Sequence, residues 1–125
     1  MPLQRTRYTD YVQIFLPTKN NLGDHLDPQK VQHWRVRVEE VFRSHVPGFY
    51  VSPYYTIQGN FRSTEGSWIQ EHNYVIKTYA PKGACQSLIQ ALEEEIIEAM
   101  GVALRQESIG VESSIEGLVL YEIQP

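Results

Sequence analysis

Three stretches of the sequence alternate between the two sides of an extended chain, which is the period of β-strands. The first is DYVQIFLPT at 10–18. FYVSPYYTIQGNFR at 49–62 predicts a second strand, bent or broken near Pro53, because proline donates no ladder hydrogen bond. WIQEHNYVIKTYA at 68–80 predicts a third strand, and the turn residues before it predict a long hairpin with the second.

Two further stretches have the apolar spacing of amphipathic helices. The first opens with Asp27 as N-cap and Pro28 at the first helical position, where the missing N–H costs nothing, and VPG at 46–48 ends it. The second follows a predicted loop, APKGA at 80–84, and is closed by Gly101. The apolar stripes are Val31, Trp34, Val38, Val41, Phe42 and His45 in the first helix and Cys85, Leu88, Ile89, Leu92, Ile96, Ala99 and Met100 in the second.

The order of these elements defines the fold class. The tail predicts a fourth strand in LRQESI at 104–109, with GLVLYEI at 117–123 either continuing it after a bulge or adding a fifth, edge strand. The resulting order, β-α-β-β-α-β, predicts a single α+β domain over residues 1–125, a ferredoxin-like βαββαβ sandwich with both helices on one face of an antiparallel sheet. In the usual strand order 4-1-3-2, the first strand lies between the third and the fourth.

Helices on a single side leave the other side of the sheet for solvent, a second subunit or a ligand. If Val12, Ile14 and Leu16 pack under the helices, Tyr11, Gln13 and Phe15 point to this open face. Eight tyrosines and two tryptophans exceed the need of a small monomer's core, and tyrosine suits interfaces and ligand pockets. We therefore expect a homo-oligomer formed through the open face, with aromatic residues on a half-exposed sheet as the alternative.

Composition narrows the classes of partner. The 125 residues carry a formal net charge of -4, so the chain has no overall attraction to nucleic acid. No apolar run has the length of a signal peptide or of a membrane span. The lone cysteine, Cys85, forms no internal disulfide and lies in a helical pattern, which favours a buried small hydrophobe over a reactive thiol. We expect a cytoplasmic protein that binds neither nucleic acid nor membranes.

Few residues have the pattern of a catalytic or metal site. Glu71 and His72 are adjacent in the third strand, so they project to opposite faces and do not act as a pair. His72 and its strand neighbour Tyr74 are candidate catalytic groups, although a sheet histidine hydrogen-bonded to a tyrosine is the favoured explanation. The grouping DHLD at 24–27 fits a helix-capping loop better than a cation site. No nucleophile elbow, Walker sequence or dinucleotide fingerprint occurs, and we expect no metal and no cofactor.

The hairpin and the tail are similar to those of small uncharacterised bacterial ferredoxin-like proteins. The matching pieces are GNF at 59–61, EGSW at 65–68, Glu71 before NYVI, and Gln106-Glu107-Ser108. The resemblance covers about the second half of the chain; the longer loop after the first strand and the SSIEG segment depart from it. It implies a fold and no catalytic activity.

The same resemblance directs attention to Glu71 and Glu107. Arg5 and Arg7, at the start of the first strand, are placed to bridge acids on the neighbouring strands, either as a structural ion-pair cluster or as a site for an anion or substrate. The predicted ligand-binding residues are thus Tyr11, Phe15, Trp68, His72, Tyr74, Arg7, Glu71 and Glu107.

Three functions compete. The leading hypothesis is a small homo-oligomeric ligand-binding or regulatory domain that uses the open face or the subunit interface. The second resembles the dimeric α/β-barrel enzymes of the monooxygenase and muconolactone-isomerase type, with His72 as the acid–base group of an apolar cavity and Tyr74, Trp68 and Tyr11 around it. The third is a purely structural interaction protein.

Overall fold

The structure is a computed structural model that describes residues 2–52, 57–62 and 65–124, and for residues 57–59, 61, 69 and 71 it describes the backbone alone. The strands are β1 Tyr11–Leu16, β2 Tyr50–Val51, β3 Ile57–Arg62, β4 Trp68–Tyr79, β5 Ser108–Ser113 and β6 Gly117–Glu122. The helices are α1 Pro28–His45, α2 Lys82–Glu95 and α3 Ile97–Ala103. None of the helices in this part of the chain is long and apolar enough to cross a membrane.

Helix α1 forms as the sequence predicts. The Asp27 side chain accepts a hydrogen bond from the backbone N–H of Gln29, which satisfies one of the N–H groups left unpaired at the helix start. The buried side of the helix carries five of the six residues of the predicted stripe: Val31, Trp34, Val38, Val41 and Phe42. The sixth, His45, is half-buried, and its Nδ1 lies 3.0 Å from the hydroxyl of Ser87 on α2.

The second predicted helix differs at both ends. Helix α2 already begins at Lys82, so the predicted loop 80–84 is wrong for its last three residues. A break at Ile96 separates α2 from α3, and Gly101 lies inside α3 instead of ending it. The presence of glycine inside the helix has a steric reason. A Cβ built on Gly101 would come within 2.5 Å of the Ile123 side chain, so glycine leaves the space in which the C-terminal tail packs against α3.

The sheet has the predicted antiparallel order. Strand β1 lies between β4 and β5, as in a 4-1-3-2 sheet, and the path runs β2-β4-β1-β5-β6. The predicted second strand corresponds to two strands, β2 and β3, which both pair with β4; residues 53–56 between them, including Pro53, lie outside the described residues. Strand β5 begins at Ser108, later than predicted, because the chain from Ala103 to Gln106 still closes the end of α3.

The last strand, β6, follows β5 through a turn at 114–116 and is a separate edge strand, not a continuation of β5. Together these elements form the predicted α+β ferredoxin-like sandwich, with an added C-terminal edge strand.

The core lies between the helices and one face of the sheet. Val12, Ile14 and Leu16 are fully buried there, as their alternation predicts, in one cluster with residues of α1, α2 and α3. Cys85 belongs to this cluster, is 0% exposed and donates to the carbonyl of Ala80. Burial raises the pKa of its thiol. The prediction of a buried, small hydrophobic cysteine is therefore confirmed.

Candidate functional site

The open face of the sheet is the surface opposite the helices. Residues directly opposite one another in neighbouring strands share a face, so the register identifies its members from Tyr11, Gln13 and Phe15 outward. The open face consists of Tyr11, Gln13, Phe15, Tyr50, Val75, Lys77, Tyr79, Gly110, Glu112, Leu118 and Leu120.

One half of the open face is polar and aromatic. The Tyr11 hydroxyl donates to Glu112 Oε2 at 2.9 Å, and Gln13 Nε2 donates to the same oxygen at 3.0 Å. Lys77 Nζ lies 4.6 Å from the ring centroid of Tyr11 and 4.8 Å from that of Tyr79, within cation–π range of both. The hydrogen bond to Glu112 raises the pKa of Tyr11, so its hydroxyl is held as a donor.

The other half is apolar. A Cβ built on Gly110 would lie 3.3 Å from the Phe15 ring, 3.4 Å from Leu120 and 3.7 Å from Leu118. These three side chains therefore close over the glycine and form a continuous apolar patch. Leu118 and Leu120 remain 57% and 55% exposed.

The register separates the predicted site residues into two groups. Strand β4 pairs without interruption over its whole length, and Ile76 lies opposite the buried Ile14, so the even-numbered residues of β4 face the helix side. Trp68, His72 and Tyr74 are on that side, across the sheet from Tyr11 and Phe15. The expectation that His72 lies on the open face, in one pocket with Tyr11, is therefore wrong, because an unbroken strand reverses side-chain direction at every residue.

The three even-numbered residues do not form one compact cluster. Tyr74 packs against the core, and the Arg35 guanidinium of α1 lies 5.8 Å from its ring centroid. Trp68 is 67% exposed and stacks with Arg62 of β3. The His72 side chain is also exposed, and its carbonyl accepts a hydrogen bond from the Thr18 hydroxyl at 2.6 Å.

The two predicted acids and the predicted arginine have different positions. Glu71 pairs with Gly59 through its backbone, and its side chain lies outside the described residues. Arg7 is exposed in the segment that precedes β1. Glu107 is half-buried beside the start of β5, where it lines a groove.

This groove lies at the C-terminal edge of the sheet and has a volume of about 770 Å³. It is open to solvent on one side and combines carboxylate, guanidinium and amide groups with apolar side chains. We call it the C-terminal groove; its lining residues are Asn21, Gly101, Val102, Arg105, Gln106, Glu107, Ser108, Leu120, Glu122, Ile123 and Gln124.

The backbone at the end of α3 builds the groove. Two hydrogen bonds, from Gln106 N–H to the Gly101 carbonyl and from Arg105 N–H to the Val102 carbonyl, form a Schellman motif. Arg105 occupies the position that glycine usually fills there, at a φ of 54°. Gln106 is then fixed by its side-chain amide, which donates to the carbonyls of Lys19 and Leu104.

The other walls are tied to the same turn. Asn21 N–H donates to the Arg105 carbonyl, and Ile123 N–H donates to the Glu107 carbonyl at 2.8 Å. Asn21 Oδ1 is buried and has no hydrogen-bond donor within the part of the chain that the structure describes. The residues that line the groove thus include two glutamates and one arginine, a set that can hold a small polar molecule with charged or hydrogen-bonding groups.

Sequence reasoning identified Glu107 here but missed Asn21, Arg105 and Glu122. These positions are far apart along the chain, and no motif joins them. The sequence GVALRQ at 101–106 could have pointed to Arg105, because the helix ends there without a glycine at the position that glycine usually fills. Among the described residues, no three His, Cys, Asp or Glu side chains are grouped as a metal site requires.

The sequence matches no protein-family model and no curated protein. Its fold is similar to that of a phage SAM lyase solved in complex with S-methyl-5'-thioadenosine, with a TM-score of 0.60, 16% identity, and coverage of 100% of this chain and 97% of that chain. The apo state of a phage SAM lyase matches with a TM-score of 0.59, the same identity and the same coverage. At this identity the likeness shows the fold.

Proposed function

We propose that this chain is a small-molecule-binding protein, working as a homo-oligomer in the cytoplasm, and that the C-terminal groove takes an adenosine-derived sulfur compound. The observation that carries the proposal is the groove itself. Its volume of about 770 Å³ is in the range of small-molecule sites, and both charged and apolar residues line it.

The ligand class is supported by the whole-length likeness to a lyase that was solved with S-methyl-5'-thioadenosine. That support is an analogy of fold, since one fold serves many functions. The groove suits the class chemically, because the carboxylates of Glu107 and Glu122 among its lining residues attract a sulfonium or ammonium group.

A second candidate function is enzymatic, the cleavage of S-adenosylmethionine, as the name of the structural neighbour suggests. The half-buried carboxylate of Glu107 favours it, because a carboxylate beside a bound sulfonium stabilises the cation and is a proton acceptor. An α/β-barrel enzyme centred on His72 has less support, since Tyr11 lies across the sheet from His72 and Tyr74.

Titration calorimetry with S-methyl-5'-thioadenosine tests the binding proposal. We expect one site per chain and a rise in the thermal unfolding midpoint with ligand concentration. Glu107→Gln, which removes the charge but keeps the shape, should weaken binding of S-adenosylmethionine by about tenfold to a hundredfold, the range for losing a charge-assisted contact. Glu95→Gln, at an exposed glutamate that ends α2, is the matched control and should bind like the wild type.

Incubation with S-adenosylmethionine, followed by chromatography for S-methyl-5'-thioadenosine, tests the enzymatic candidate. Product formed by the wild type and by Glu95→Gln but strongly reduced in Glu107→Gln supports cleavage at the groove. Binding without product retains the first proposal and rejects the second. An absence of both heat and thermal shift with either compound rejects the ligand class.

A further inference from the structure

The open face carries two opposite charges that have no ionic partner among the described residues of their own chain. The ion pairs of α1 join Arg35 and Arg43 to Glu39, and neither Lys77 nor Glu112 takes part in them. Lys77 lies against two tyrosine rings, and Glu112 accepts hydrogen bonds from the neutral Tyr11 and Gln13 side chains. Both side chains are thus held in place on the face with their charges uncompensated.

Their positions in the sheet are symmetric about the central strand. Gln13 of β1 lies opposite Lys77 of β4 on one side and opposite Glu112 of β5 on the other. Neighbouring strands are about 4.8 Å apart, so the backbone positions of Lys77 and Glu112 are separated by about 10 Å across the row. The same row continues outward to two exposed apolar residues, Tyr50 beyond Lys77 and Leu118 beyond Glu112.

We propose that the open face binds a second copy of this chain, with Lys77 of each copy facing Glu112 of the other. A face-to-face copy rotated about an axis parallel to β1 exchanges the two sides of the row and brings each lysine over a glutamate. Rotation about an axis across the strands would instead bring lysine over lysine, which like-charge repulsion disfavours. The charge pattern therefore selects which halves of the two faces meet.

The amount of exposed surface agrees with a partner. The chain has an accessible surface of 7972 Å², whereas a compact monomer of 14.5 kDa has about 6900 Å². Part of the surplus belongs to the exposed residues 2–9 that precede β1. Four of the exposed large apolar residues, Tyr50, Tyr79, Leu118 and Leu120, lie on the open face. Packing two such faces together buries the aromatic and apolar area typical of a subunit interface.

This inference rests on the homo-oligomeric state proposed above and adds the contact that orients it. A charge reversal with rescue tests it, using sedimentation equilibrium on the full chain. Lys77→Glu and Glu112→Lys each place like charges opposite one another, and each should weaken association by about tenfold or more. The double variant restores the pair in reverse and should associate within about threefold of the wild type.

Each outcome decides a different point. If the wild type associates and the reversals have no effect, or if their effects add in the double variant, the Lys77–Glu112 contact is rejected and the oligomeric state stands. If the wild type sediments as a monomer, the contact and the oligomeric state both fall, while calorimetry still decides ligand binding. Circular dichroism shows whether a charge-reversed variant folds. If one does not, the association of Lys77→Gln, Glu112→Gln and their double variant is measured instead. Additive effects of these two substitutions on association also reject the contact.

Discussion

Arg105 has the backbone conformation of a glycine and lines the C-terminal groove. A φ of 54° costs a non-glycine residue about 1–2 kcal/mol. The Schellman motif at the end of α3 would accept glycine without this cost. Strained residues beside a groove are often functional, so under the binding proposal we expect the arginine side chain to contact the ligand.

Replacing Arg105 by glycine should therefore separate stability from binding. We expect Arg105→Gly to raise the free energy of unfolding by about 1 kcal/mol, because the strain is relieved. It should also weaken binding of S-methyl-5'-thioadenosine in the C-terminal groove, because the guanidinium is lost. Urea unfolding measures the first effect and calorimetry the second.

Arg105→Ala is the control, since it removes the guanidinium and leaves the strained φ. It should weaken binding as much as the glycine variant without increasing stability. A glycine variant that is no more stable than the alanine variant would show that the left-handed backbone is not strained.

The elements that the sequence predicted well are those whose pattern has one interpretation. Helix α1 has a side-chain cap, a proline at its first position and a single apolar stripe, so both of its ends were predictable. Strand β4 has apolar or aromatic residues on both sides, so alternation alone did not show that His72 faces the helix side. Only the pairing of Ile76 with Ile14 fixes that direction.

The end of α3 escaped prediction for a different reason. Gly101 is the usual signal for a helix end, but the contact that requires it is with Ile123, from the far end of the chain. The C-terminal groove depends on the same long-range contacts between the loop after β1, α3 and the tail. Local sequence patterns predict faces and caps, and they do not encode which distant segments meet.

Strand β6 contains a residue whose titration reports how the strand packs. Burial, together with the nearby Glu93 and Glu116 carboxylates, raises the pKa of Tyr121 to about 12. The unfolded chain loses this proton near the ordinary value of 10.0, whereas the folded chain keeps it. The associated stability is therefore complete below pH 10 and is lost as the pH rises from there to about 12.

Tyr121→Phe removes that ionisation while keeping the packed ring. We expect the urea midpoint of the wild type to fall more steeply than that of the variant between about pH 10 and about pH 12. Tyr8→Phe, at an exposed tyrosine ahead of β1, should retain the wild-type slope. Equal slopes in wild type and Tyr121→Phe would mean that β6 does not pack Tyr121 against the helices.

At the scale of the whole molecule, the two proposals concern adjoining surfaces. The C-terminal groove lies where α3, β5, β6 and the tail meet, and the open face covers the opposite side of the sheet from the helices. Leu120 belongs to both, because it lines the groove and packs over Gly110 with Phe15. A second copy seated on the open face would thus border the ligand, and assembly and ligand binding would then be coupled.

Assembly through the open face makes stability depend on protein concentration, because only the folded chain has a face to share. We expect the thermal midpoint of the wild type to rise with concentration. Leu118→Lys introduces a charge into the apolar half of the face and should abolish that rise. The matched control is Leu22→Lys, since Leu22 is also 57% exposed but lies in the loop after β1, away from the open face. Scanning calorimetry over about a hundredfold range of protein concentration compares the two variants. If the thermal midpoints of both variants change with concentration in the same way, the open face is not the site of assembly.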